Sequence, residues 1–160
     1  MAIDLSALLD RGVILTETQY GSRKQAILRL AGALGDKIGL DERLIFDAVM
    51  EREQLGSTGV GEGVAIPHAR LSKLEQPLGG FLRLREGVDF DAVDDQPCDL
   101  IFMLLAPVTA GADHLRALAQ VSRAFRRGEV RAALRTADTA ESIYQVLCKD
   151  TAKAKAASAA

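Results

Sequence analysis

Two histidines stand in a 160-residue chain, and each sits where chemistry is possible. His68 ends the stretch Gly56-Ser-Thr-Gly-Val-Gly-Glu-Gly-Val-Ala-Ile-Pro-His68. Glycine lets a backbone turn tightly and approach a ligand closely. Successive amides of such a loop can converge on an anion. Ser57, Thr58, Gly59, Gly61 and Gly63 are therefore the expected anion-binding loop, with the two hydroxyls as further donors. Pro67 removes a backbone donor and presses Ile66 toward an extended conformation, so His68 is expected at the end of a short stiff strand. A neutral imidazole beside such donors suits a nucleophile that accepts a phosphoryl group. His114 follows Asp113 at the start of an expected helix, an end that favours anions. If it faces His68, it can support a phosphoryl group or orient the first ring. Arg52 lies late in a helix just before the glycines, within plausible reach of the same group as a bidentate donor. The bland alternatives are a solvated His114, an Arg52 paired with Glu51 or Glu53, and hydroxyls that merely satisfy turn amides.

The elements needed to position these residues can be read from periodicity. Leu5, Leu8 and Leu9 suggest a short helix closed by Arg11-Gly12, and Val13–Thr16 a short strand. Ser22 and Gln25 match a capping box, behind which Ile27, Leu30, Ala31, Leu34 and Ile38 recur at helical spacing up to Gly39. Asp41 caps a second helix with Leu44, Ile45, Ala48 and Val49 inward. Gly79–Arg85 reads as a strand, with Val88–Phe90 as a separate short neighbour after a Glu86-Gly87 turn. Leu100–Leu105 is continuously apolar, as expected of a strand covered on both faces. A helix carrying Leu115, Leu118, Ala119 and Phe125 follows, closed by Gly128. Two shorter helices come after it, the last opened by a capping box over Asp138–Glu141. The expectation is a single α/β domain over residues 1–150, a mixed central sheet with helices on both faces, followed by a frayed tail over 151–160.

Composition narrows the function classes. Hydrophobic residues make up 48% and charged ones 26%, ordinary for a globular domain. A net charge of -2 gives no basic footprint for nucleic acid or an anionic membrane. Cys98 and Cys148 form no metal-type cluster, and no H-E-x-x-H or compact ligand set is present, so no metal is expected. The Met1-Ala-Ile-Asp start lacks the order of a signal peptide, and the longest apolar run is too short to span a bilayer. A cytoplasmic location is expected. A P-loop is excluded, because the glycines do not lead into Gly-Lys-Ser/Thr.

The segment Gly56–His68 resembles the phosphorylation-site signature of type-2 enzyme IIA domains of the phosphoenolpyruvate-dependent phosphotransferase system. Phe90–Pro97, Leu104–Pro107 and His114-Leu-x-x-Leu118 are also similar to that family, over roughly residues 3–148. The resemblance implies a mixed sheet flanked by helices and a phosphoryl group accepted at Nε2 of His68 from a histidine phosphocarrier protein. It implies His114 as the supporting histidine and Arg52 as the stabilising arginine, with no cofactor. The isolated domain and the stretch through Glu141–Leu147 look most like the nitrogen-regulatory branch. That branch implies a phosphotransferase component rather than a small-molecule turnover enzyme. It also implies control of partners by phosphorylation state, such as a potassium transporter or a sensor kinase. The alternatives are a sugar-specific (fructose/mannitol-type) enzyme IIA passing phosphate to a separate enzyme IIB, a metallohydrolase, and an anion-binding module without covalent chemistry.

Overall fold

A computed structural model describes residues 5–17 and 21–148. The expected boundary at residue 150 and the tail 151–160 lie outside them. In chain order the elements are α1 (Leu5–Leu8), β1 (Leu9–Glu17), α2 (Arg23–Ile38), α3 (Glu42–Leu55), β2 (Gly59–Gly61), β3 (Val64–Ala65), β4 (His68–Leu71), β5 (Leu78–Val88), β6 (Cys98–Pro107), α4 (Ala112–Arg126) and α5 (Gly128–Thr136). A last helix, α6, covers residues 140–148.

The caps decide where the helices begin. Ser22 Oγ accepts from the Gln25 amide at 3.3 Å, and the Gln25 side chain takes the Gly21 amide rather than that of Ser22. Gly39 closes α2 in the left-handed region at φ 73°. Within α2, Gly35 permits a close crossing, since a Cβ there would lie 2.6 Å from the Leu40 carbonyl oxygen. Asp41 caps α3 through the Arg43 amide. The cap of α6 falls one residue later than expected: Thr139 Oγ1, not Asp138, accepts from the Ser142 amide at 3.1 Å. Gly128 opens α5 instead of closing α4, whose last turn ends at Arg127.

The sheet is mixed. Its order is β1-β5-β6-β3-β2, with β4 also pairing β6. β1 runs parallel to β5, β5 antiparallel to β6, and β3 and β4 parallel to β6. The apolar run expected to be doubly covered is the central strand β6. Leu100, Phe102 and Leu104 enter the core beneath α4, α5 and α6, and Ile101, Met103 and Leu105 enter the core beneath α2 and α3. Two strands run through positions expected to be turns. β1 passes through Arg11-Gly12 with an irregularity between Leu9 and Ile14, because pairing to β5 overrides the local turn signal. β5 likewise continues through Glu86-Gly87 to Val88, where a register break against β6 absorbs the glycine.

β3 and β4 are two parts of one interrupted strand. Val64 pairs Leu100, Ala65 pairs Ile101 and His68 pairs Leu104, so the register is continuous across the gap. The inward faces also keep step: Val64 and Ile66 enter one core, and Ala65, Ala69 and Leu71 the other. The interruption falls at Pro67, which lacks the amide hydrogen a ladder requires. Its carbonyl still accepts from the Leu104 amide at 2.9 Å.

Candidate functional site

His68 opens β4 directly after this break. Its ring Nδ1 lies 2.9 Å from the carbonyl oxygen of Ile66. A carbonyl can only accept, so Nδ1 carries the hydrogen and Nε2 keeps its lone pair. The Ile66 amide donates to the Thr58 carbonyl at 3.0 Å, which holds the residue that holds the ring. Burial lowers the pKa of His68 from its ordinary value, and the Arg52 charge adds to the lowering, while the Ile66 bond opposes it. The ring is therefore neutral at pH 7 and half-buried.

His114, in the first turn of α4, lies with its ring centroid 5.6 Å from that of His68, the planes tilted by 51°. It is only 4% exposed, and its Nδ1 is buried with no hydrogen-bond partner among the described residues. Burial first, then the His68 and Arg70 charges, push its pKa down to about 4. A neutral imidazole whose Nδ1 meets no acceptor is best served by keeping its hydrogen on Nε2, where it can donate to an incoming oxyanion. Arg52, in the last turn of α3, donates to the Gly56 carbonyl at 3.0 Å and is half-buried.

These three residues share one cleft of about 400 Å³, and Arg70 joins them in its lining. Ala48, Leu55, Leu115 and Leu118 supply its apolar part. Among the described residues β4 pairs only with β6, and residues of α3 and α4 line the cleft beside it. Leu55 and Leu115 are 82% and 63% exposed and form an apolar rim beside the histidines.

The glycine stretch lies outside the lining of this cleft. Its residues form the β2–β3 hairpin, and none of Ser57, Thr58, Gly59, Gly61 or Gly63 lines the His68 cleft. Ser57 Oγ donates to the Phe90 carbonyl and accepts from the Gly59 amide. Thr58 Oγ1 donates to Glu53. Gly59 packs on Ala92, where a Cβ would meet that methyl at 2.8 Å. Gly63, at φ 79°, lies against the guanidinium of Arg135 and the carboxylate of Asp99. The small residues thus serve close packing, and the hydroxyls are committed to the scaffold.

Glu53 is the residue that sequence reasoning missed. It appears in the sequence only as a possible partner of Arg52, yet its side chain is 1% exposed. It pairs with Arg23 at 3.5 Å and accepts from both the amide and the hydroxyl of Thr58. A signal was present: Glu53 continues the buried stripe of Ile45 and Val49 at a spacing of four residues. The chain of contacts Arg23–Glu53–Thr58–Ile66 ends at the His68 ring.

A helix-flanked mixed sheet that presents a tautomer-fixed histidine beside a second, buried one defines the structural class of this domain. Comparison with known proteins narrows this class. The profile of the phosphoenolpyruvate-dependent sugar phosphotransferase system, EIIA 2, matches residues 7–150. The chain is 46% identical to a nitrogen regulatory protein of Bradyrhizobium diazoefficiens over 141 residues, covering 88% of this chain and 92% of that protein. It is 41% identical to the nitrogen regulatory protein of Pseudomonas aeruginosa, covering 91% and 95%. The crystal structure of nitrogen regulatory protein IIA-Ntr from Neisseria meningitidis superposes with a TM-score of 0.85 at 36% identity, covering 89% and 98%. The chain belongs to the type-2 enzyme IIA family of this phosphotransferase system. Among the described residues no helix is long and apolar enough to cross a membrane. No group of three or more His, Cys, Asp or Glu among them is placed to hold a metal ion.

Proposed function

We propose that this protein accepts a phosphoryl group on Nε2 of His68 from a histidine phosphocarrier protein. In the same reading it regulates partner proteins of nitrogen or potassium control by its phosphorylation state. The observation that carries the reading is the bond from His68 Nδ1 to the Ile66 carbonyl, which leaves Nε2 free as the nucleophile. In the transfer, the Nε2 lone pair forms a bond to phosphorus. The phosphorus–nitrogen bond of the donor breaks, and its electron pair returns to the donor imidazole. The His68 ring keeps its Nδ1 hydrogen on Ile66 throughout, so no base is required. His114 donates from Nε2 to a phosphoryl oxygen, and the Arg52 guanidinium offsets the charge. The apolar rim of Leu55 and Leu115 suits the face of a protein donor and excludes water around the transfer.

The regulatory role rests on the similarity to two nitrogen regulatory proteins and to IIA-Ntr. A sugar-specific donor role is supported by 37% identity to a fructose-specific EIIA component of Haloferax volcanii, over 91% of this chain. Phosphoryl transfer to a fructose-type enzyme IIB separates the two, since only the sugar-specific role requires it.

The test is intact-mass spectrometry after incubation with phosphoenolpyruvate, enzyme I and the phosphocarrier. One acid-labile phosphoryl group is expected on the wild type and none on His68→Ala, with slower labelling of His114→Ala. Full labelling of His68→Ala would overturn the assignment.

A further inference from the structure

A second cleft, of about 440 Å³, opens between the end of β1, β5 and α5. Thr16, Glu17, Arg83, Arg85, Asp99 and Arg135 line it. It is far from the histidines. Arg83 pairs Leu100 of β6, whereas His68 pairs Leu104 from the opposite side of that strand. Four residues of strand separate the two levels, roughly 13 Å, and the width of the central strand adds to it.

The charges in this cleft do not cancel evenly. Glu17 is already paired with Arg29 at 3.3 Å. Both oxygens of Asp99 are taken by Arg135, through Nε and Nη2 at 2.9 Å each. Arg83 turns Nη1 to the carbonyls of Leu134 and Ala137 at the end of α5, and its Nε and Nη2 hydrogens have no partner among the described residues. Arg85 is exposed and has no partner among the described residues. Each carboxylate thus has a cation of its own, and two guanidiniums keep unused donors facing one concave surface. Arginine forks of this kind match the paired oxygens of phosphate and carboxylate groups.

The sequence spends a special residue on this place. Gly63, at φ 79°, leaves no room for a Cβ beside the Arg135–Asp99 pair. Arg135 also donates to the Glu62 carbonyl at 2.7 Å, and the amides of Asp99 and Leu100 both donate to the Gly63 carbonyl. Arg135 is therefore locked, and the wall it forms is preorganised.

We propose that this cleft binds a small multivalent oxyanion, with Arg85 and Arg83 as its donors and the locked Arg135–Asp99 pair as its wall. The site is separate from the His68 cleft and independent of the phosphoryl-transfer reading.

The test is a titration of the full ¹⁵N-labelled chain followed by amide chemical shifts. Inorganic pyrophosphate is the probe in one arm and citrate in the other, each against sodium chloride at matched ionic strength. Saturable shifts at Thr16, Arg85, Asp99 and Arg135 are expected in at least one arm, and the tighter arm tells a phosphate from a carboxylate ligand. Arg85→Gln should weaken binding about tenfold or more, the loss of a charge-assisted pair. Arg85 makes no contact that folding needs, so it carries the test; Arg83 also caps α5. His68→Ala should leave the affinity unchanged. Shifts no larger than those with chloride, shifts centred on Arg52, His68 and His114, or an undiminished affinity in Arg85→Gln would each overturn the proposal.

Discussion

Acidification should weaken this fold through His114. The ordinary histidine pKa of 6.5 falls to about 4 in the folded chain, chiefly because the ring is buried. Between those two values the unfolded chain binds a proton that the folded chain refuses. Stability therefore rises with pH across that window, and falls as pH drops from about 6.5 to about 4. Below about 4 both states are protonated and the contribution is flat. At about 1.4 kcal/mol per pKa unit, the shift sets an upper size of about 3 kcal/mol for the whole window. His68 contributes in the same direction, since its pKa is also lowered. The two are separated by comparing the wild type with His114→Gln in urea denaturation at half-unit steps from pH 7.5 to 4. The variant should show a shallower dependence, with its stability closest to that of the wild type at pH 4 relative to the difference at pH 7. Direct titration of the ring by carbon and nitrogen shifts gives the same quantity without denaturant. A His114 titration midpoint of 6 or above, or parallel pH curves for wild type and variant, would refute the reasoning.

Three further outcomes follow from packing and polar contacts. Glu53→Ala should cost about 3–5 kcal/mol in urea denaturation, because Arg23 and both donors of Thr58 lose a buried acceptor at once. Glu53→Gln should recover part of that loss, since one acceptor oxygen remains for Thr58. Gly79→Ala should cost about 1–3 kcal/mol, since its Cβ would fall 2.6 Å from two ring carbons of the fully buried Phe102; thermal unfolding reads the loss. Cys98 is fully buried and its thiol is pushed up to about 12, so it should resist iodoacetamide at pH 8 in the folded chain and react only after denaturation, as mass spectrometry would show.

The parts of this molecule legible in its sequence are those whose cause is local. Ser22, Gly39 and Asp41 mark helix ends because capping involves residues two to four apart. The run Leu100–Leu105 announces a doubly covered strand because burial on both faces removes polar residues from both parities. Pro67 before His68 signals a presented ring, and His114 and Arg52 do meet it in one cleft. What was not legible depends on partners distant in sequence. Gly12 and Gly87 look like turns, yet each lies inside a strand, in a register irregularity flanked on both sides by pairing, of β1 with β5 for Gly12 and of β5 with β6 for Gly87. At Gly59 and Gly63 the close approach of Ala92, Asp99 and Arg135, remote in the chain, leaves no room for a side chain, a reason the local sequence does not show. Glu53 reads as solvated because a charge is ordinarily outside; only Arg23 and Thr58 make its burial tolerable.

The break at Pro67 has a consequence for signalling. The ring of His68 is pinned from within its own three-residue segment, by a carbonyl on the nitrogen opposite the proposed phosphoryl acceptor. On the proposed function, the loaded and unloaded forms then keep the same proton at Nδ1 and differ by the phosphoryl group, its charge and its acceptor oxygens. A regulatory partner that distinguishes the two states reads that group at the cleft mouth, and the long-range electrostatic part of its discrimination should fade as added salt shortens the reach of the field.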